Sequence, residues 1–163
     1  MTHEYVIALG GTILGADAGD AGPRPTAIAW AADHVLAVGP DDVVRAISRG
    51  DSTFIDLGAC AVTAAPAAVD VAERTLRAAV LAGRPFDAVK ELERAGQLTP
   101  GERLEPGSPA ELAFWSADPA TLSPPEASSL RVVAIVRAGA FSDGDEHLGP
   151  FAPAGAPPSR APG

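Results

Sequence analysis

A single block of helical periodicity, bracketed by two sets of short strands, most constrains how this chain can fold. From Val69 onward Ala72, Leu76, Ala79 and Val80 recur at helical spacing, with Glu73, Arg74 and Arg77 between them. The spacing predicts a helix over 71–81, broken at Gly83-Arg84-Pro85. A second helix is predicted over 85–95, with apolar Phe86, Val89 and Leu92 and a stop at Gly96. Before this block, residues 5–9, 12–14, 26–31, 35–39, 53–57 and 61–63 read as short strands bounded by Gly, Asp and Pro. After it, residues 112–116, 132–137 and 140–141 read the same way. Ala32-Asp33-His34 and Ala138-Gly139 stand where hairpin turns belong. Pro40-Asp41-Asp42 opens a short helix to Ile47, with its proline and acids where the helix dipole prefers them. Helices confined to one insertion in a strand-forming chain predict a mainly β, α+β domain.

At 163 residues, one domain can bury about 70% of its unfolded surface without covalent staples. Aromatic residues make up only 5%, so an aliphatic core is expected, with Trp30, Phe54, Phe86, Phe114 and Trp115 as its large pieces. The domain is expected over residues 1–148: N-terminal strands in 5–69, a helical hairpin in 70–103 and C-terminal strands in 104–141. Residues 149–163 are dominated by Pro, Ala and Gly and have too little to bury, which predicts a disordered tail.

The strand segments carry an ordered set of motifs. The N-terminal half holds Gly10-Gly11-Thr12-Ile13-Leu14, Asp33-His34, Val35-Leu36-Ala37-Val38-Gly39 and Phe54-Ile55-Asp56-Leu57-Gly58. The C-terminal half holds Leu104-Glu105-Pro106-Gly107-Ser108-Pro109-Ala110-Glu111-Leu112-Ala113-Phe114-Trp115, then Asp118-Pro119 and the run 132–139. In this order they resemble the opening and the return of amidohydrolase-superfamily chains (imidazolonepropionases, dihydroorotases, cytosine deaminases). The resemblance covers most of residues 5–141 and implies a composite β-sandwich built from both halves. In that family a metal-bearing (β/α)8 barrel of about 250 residues is inserted between them. Here the segment 71–103 has room only for two helices, so the resemblance implies a sandwich with a helical hairpin in the barrel's place.

Pro66 to Arg74 lies on that family's first metal-ligand frame, P-G-F-I-D-x-H-x-H, with Ala72 and Arg74 at the two histidine positions. Alanine has no donor atom and arginine is permanently cationic, so neither can hold an ion that activates water. His3, His34 and His147 have no ligand spacing, and Asp143, Asp145, Glu146 and His147 read as a solvated acidic loop. The expectation is therefore no metal, no cofactor and no catalytic residue. Asp70 matches the frame's aspartate and reads as an N-cap for a helix starting at Val71, with Glu73 as its capping-box partner. Glu111 stands where the family has aspartate and reads as a structural hydrogen-bonding group at a strand start. If a pocket survives, Asp70, Glu73, Arg74 and Glu111 are its candidate residues.

Rival chemistries have less behind them. Residues 7–13 are similar to the asparaginase segment that carries a nucleophilic threonine, but nothing resembles that family's second segment, and Thr12 reads as a strand residue. Neither a G-x-S-x-G elbow nor a phosphate-binding loop occurs. Cys60 lies in the apolar run Ala59-Cys60-Ala61-Val62 and reads as a buried thiol.

A net charge of −9 without a stripe of Lys and Arg argues against nucleic acid and anionic membranes as partners. No run approaches the ~20 apolar residues of a membrane span. The apolar stretch 5–14 follows Glu4 without a nearby Lys or Arg and is split by Gly10-Gly11, so it does not read as a signal peptide. With one cysteine, a reducing cytoplasmic location is expected. The functional expectation is a non-catalytic interaction or assembly module, or a small-ligand binder using a pocket between sheet and hairpin. The alternative is a hydrolase of non-peptide C–N bonds whose site a partner or a reused pocket completes. A face freed from the barrel predicts a homodimer.

Overall fold

The computed structural model of the chain describes residues 5–15, 25–50, 52–101, 103–142 and 153–154. Its strands and helices run β1 (Val6–Leu9), β2 (Thr12–Ile13), β3 (Ala27–Ala31), β4 (His34–Gly39), α1 (Asp41–Arg45), β5 (Thr53–Asp56) and β6 (Ala61–Ala64). They continue as α2 (Val69–Leu81), α3 (Ala88–Arg94), β7 (Leu112–Trp115), β8 (Val132–Arg137), β9 (Ala140–Ser142) and β10 (Pro153–Ala154). Two 3₁₀ turns, Pro119–Thr121 and Pro124–Ser129, join β7 to β8.

The strands form two five-stranded sheets, ordered β10-β5-β1-β3-β4 and β2-β6-β7-β8-β9. β1 and β5 pair in parallel in the first sheet, and their continuations β2 and β6 pair in parallel in the second. The two segments thus pass side by side from one sheet to the other through Gly10-Gly11 and Gly58. Gly10 and Gly58 have φ of +78° and +59°. A Cβ on Gly11 would sit 2.6 Å from the Leu57 Cβ, so only glycine fits between the paired strands there. Asp41 of α1 fastens the crossing: its Oδ1 accepts from the Gly10 N–H at 3.0 Å and the Thr26 hydroxyl at 2.7 Å.

The inner faces of the two sheets enclose one core. Ile28, Trp30, Val35 and Ile55 come from the first sheet, and Val62, Leu112, Phe114 and Val136 from the second. Trp30, Phe114 and Phe141 meet edge to face, with ring centroids 5.6 to 6.1 Å apart. Beside them two hairpin turns abut. The β8–β9 turn has both central residues at positive φ (Ala138 +51°, Gly139 +84°), the mirror-image turn that suits strand twist. A Cβ on Gly139 would lie 1.6 Å from the carbonyl oxygen of Ala32 in the β3–β4 turn. The Trp30 indole N–H donates to the Gly139 carbonyl at 2.9 Å, tying the turn to the core.

The outer face of the second sheet lies under α2, α3 and the 3₁₀ turns, where Ala72, Leu76, Val80 and Leu92 bury against Ala61, Ala113 and Trp115. α1 sits on the first sheet through Val44, against Ile7, Ala27 and Ala29. The chain is a mixed α and β molecule with two sheets. The strands and helices expected from the sequence form, with ends moved by a few residues. Three readings need correction. Asp70 is not the cap of α2: the helix begins at Val69 with Ala68 as N-cap, and Asp70 lies in its first turn as a favourable negative charge. α3 begins at Ala88 rather than Pro85, because the Asp87 carboxylate caps it by accepting from the N–H groups of Val89 and Lys90. Pro153-Ala154, in the expected tail, form a strand antiparallel to β5, supplying a neighbour to an otherwise open sheet edge. The rest of that tail lies outside the described residues. Of the expected large core residues, Trp30, Phe114 and Trp115 are fully buried, while Phe54 and Phe86 are half-buried.

Candidate functional site

α2 and α3 are held to the sandwich by polar contacts as well as by packing. The Gln97 side chain accepts from the Ala68 N–H at 2.6 Å, and its carbonyl accepts from Ala67 at 3.0 Å, so the end of α3 grips the start of α2. Glu73 Oε2 accepts from the Val132 N–H at 2.8 Å, and Arg77 Nε donates to the Leu130 carbonyl at 2.7 Å, anchoring α2 at the start of β8. The Trp115 indole N–H donates to the fully buried Thr63 hydroxyl at 3.0 Å. No buried side-chain polar atom among the described residues lacks a partner.

Between β2 and α3 these contacts leave a cavity of about 520 Å³. Ile13, Leu14, Phe86 and Val89 supply its apolar wall. Asp87, Lys90 and Glu93 reach it from α3 and its cap, Arg103 from the segment after α3, and Asp118 from the start of the first 3₁₀ turn. Its carboxylates are fixed by backbone donors: Asp87 as the α3 cap, Glu93 through the Gly101 N–H at 3.2 Å, Asp118 through the Ala120 N–H at 3.1 Å. Gly15 borders it with φ of +84°, and a Cβ there would touch Val89 at 3.5 Å. Arg103 also lines a smaller cavity of about 220 Å³ with Ser108 and Glu111.

The residues picked from the sequence do not come together in either space. Asp70 and Arg74 are exposed on α2. Glu73 is engaged at the start of β8. Glu111 accepts from the Ala138 N–H at 2.6 Å and lies 3.6 Å from Arg137, a structural contact that steadies the β8–β9 turn. Ala72 is wholly buried against the second sheet. Among the described residues no three His, Cys, Asp or Glu side chains are grouped to hold a metal ion. His34 is exposed beside Asp33 at 3.6 Å, and His3, His147, Asp143, Asp145 and Glu146 lie outside the described residues. Cys60 is buried, and burial pushes its thiol pKa up, which disfavours a nucleophilic thiolate. Thr12 is a residue of β2 paired with Ala61.

The cavity residues Asp87, Lys90, Glu93, Arg103 and Asp118 were not among the sequence candidates. Two carried a visible signal, since Asp87 and Asp118 each precede a helical turn as capping residues. Lys90, Glu93 and Arg103 carried none, because only the packing of α3 over β2 turns them to a common space.

No described helix is long and apolar enough to cross a membrane. No protein-family model matches the chain, and no significant match exists among curated proteins or solved structures.

Proposed function

We propose that this chain forms a composite β-sandwich domain of the amidohydrolase type that binds a small molecule in the cavity beneath α3, without metal-dependent hydrolysis. One observation carries the binding reading: the roughly 520 Å³ cavity between sheet and hairpin has an apolar wall and five ionisable side chains. That size falls within the range of about 300–1,000 Å³ common to small-molecule sites. An assembly module would instead favour a continuous apolar surface. The exposed large apolar residues among those described are Val43 and Leu81, and α2 and α3 cover the outer face of the second sheet.

The family reading draws support from connectivity. β6 and β7 are antiparallel neighbours, with Ala61 opposite Trp115 and Ala64 opposite Leu112, although residues 65–111 intervene. α2 and α3 lie between them, at the place where the resemblance expects a barrel. Against hydrolysis stands the fate of the two ligand positions, Ala72 buried under the sheet and Arg74 open to solvent.

The test is a thermal-shift screen of the full chain against a chemically mixed library of small metabolites, run beside Ala120→Trp. Ala120 is exposed at the cavity, so its indole obstructs the space without disturbing the core. At least one compound is expected to raise the melting temperature of the parent and not of the variant. Identical responses, or none, would overturn the binding reading. Elemental mass spectrometry of protein purified without tags or chelators tests the rest: stoichiometric zinc, iron or manganese would sink the non-hydrolytic reading.

A further inference from the structure

We infer that the outer edge of β5 is a docking site for β5 of a second copy of this chain, and that β10 is the strap that keeps this edge closed. The direction of the β5 backbone groups is the starting point. Thr53 and Leu57 turn their N–H groups to β1, donating to the carbonyls of Tyr5 and Leu9 at 2.8 Å each. Backbone groups alternate sides along a strand, so Ile55 also faces β1, while Phe54 and Asp56 direct N–H and C=O to the opposite edge.

β10 meets that edge antiparallel, with Ala154 opposite Phe54 and Pro153 opposite Ile55. Phe54 and Ala154 are therefore the hydrogen-bonded pair. The proline, which has no N–H to give, falls at the position that needs none. Among the described residues the strap engages Phe54 and does not extend to Asp56. Two other edges are closed from inside the domain. Gly107 donates to the Val35 carbonyl and Val35 donates to the Ser108 carbonyl on the β4 edge, both at 2.8 Å, and Pro25 accepts from Ile13 of β2 at 3.0 Å. β10 instead arrives from beyond residues 143–152.

A second β5 makes fuller use of this edge than the strap does. In an antiparallel pair about a two-fold axis, opposed residues must share a face if the two inner faces are to stay on one side. Placing Ile55 opposite Ile55 of the second copy meets that condition. Phe54 of each copy then lies opposite Asp56 of the other, so both outward residues of both copies exchange backbone hydrogen bonds. Ile55, in the inner core, gains an apolar neighbour across the axis. The strap holds its place by being tethered, which gives it an effective concentration on the order of millimolar. Its release leaves an unpaired edge that a second copy completes.

Ala154→Pro removes the strap's donor to Phe54 and leaves β5 unaltered. In sedimentation of the full chain at micromolar concentration, the parent is expected to be monomeric. The variant is expected to dimerise with a dissociation constant at least about tenfold lower. Adding Asp56→Pro withdraws an outward N–H that the dimer uses and the strap does not, and is expected to restore the monomer. Circular dichroism checks each fold. A further measurement needs no variant: in the parent, the Phe54 amide should exchange its hydrogen at least about tenfold faster than the Ile55 amide, because the strap opens without the sheet. If Ala154→Pro fails to fold, that exchange ratio decides alone. The inference is overturned if Ala154→Pro sediments as the parent does, if Asp56→Pro leaves the variant dimeric, or if Phe54 and Ile55 exchange alike.

Discussion

The second sheet is buried on both faces, and its two sides are held by different means. The inner face meets the first sheet through apolar side chains, Val62, Leu112, Phe114, Ala134 and Val136, beside the three-ring cluster of Trp30, Phe114 and Phe141. The outer face meets α2 and α3 through small and aliphatic residues, with Glu73 and Arg77 latching α2 to the start of β8, Gln97 tying α3 to α2, and Thr63 bonding Trp115 within the sheet itself. Apolar burial is non-directional and closes space, whereas a hydrogen bond fixes a distance and an angle. The larger cavity described above lies beside the helices, on the side that carries these polar contacts. The proposed binding site thus lies where geometry was specified rather than where area was maximised.

The largest effect is expected on the inner side. Gly139→Ala puts a Cβ against the Ala32 carbonyl, so the two turns must part and the Trp30 indole loses its acceptor. Urea denaturation should show a loss above about 4 kcal/mol, in the range reserved for broken core features. A loss below about 1 kcal/mol would mean that the turns separate freely and that the seam does not depend on their contact. Next comes Leu76→Ala on the outer side, which empties a fully buried site under α2 and should cost about 3 kcal/mol. Hydrogen exchange then sharpens the comparison: amides of α2 and α3 should lose protection before those of β3 and β7. Simultaneous loss would show that helices and sandwich open as one unit.

Smaller still is Thr63→Val, which removes the oxygen that accepts from Trp115 and strands a buried indole N–H, for about 1–2 kcal/mol. Equal stability would show that this latch contributes only shape. The smallest effect is a pH dependence from Cys60, which packs in the inner core. Burial raises its thiol pKa, so the unfolded thiol ionises first. Its contribution is complete below the unfolded value and declines as pH rises through the ordinary thiol range toward the folded one. Cys60→Ala should flatten that alkaline decline in thermal melts, and an unchanged slope would assign the decline to other groups.

The inner side was legible in the sequence because short alternating strands and turn residues report their own geometry. Thr26 to Gly39 reads as a hairpin from its apolar runs and its turn, and 132–137 matches β8 residue for residue. The helical hairpin announced itself through the spacing of Ala72, Leu76 and Val80. The connection from β7 to β8 was not seen, although Ser123-Pro124-Pro125-Glu126 has a helix-start pattern. There the Glu126 carboxylate accepts from both the N–H and the hydroxyl of Ser123, which lowers its pKa. The cavity was illegible for a different reason. Its ionisable residues come from separate stretches, 87–93, 103 and 118, and the signals at Asp87 and Asp118 mark helix starts rather than a shared site. The motif that did draw attention, around Asp70 and Arg74, lies on the solvent side of α2.

The passage of β1 and β5 from one sheet to the other carries a consequence for synthesis on the ribosome. Four strands of the first sheet are complete once residue 56 has emerged, and apart from β10 at its edge they pair with one another. Their inner face, with Ile28, Trp30 and Ile55, is closed by strands that end at residue 137. At about 5–20 residues per second, the interval between the two is roughly 4–16 s. For that time the nascent chain presents an apolar sheet surface that its own strands have not yet covered, and its need for a holding chaperone lasts until β8 has been translated.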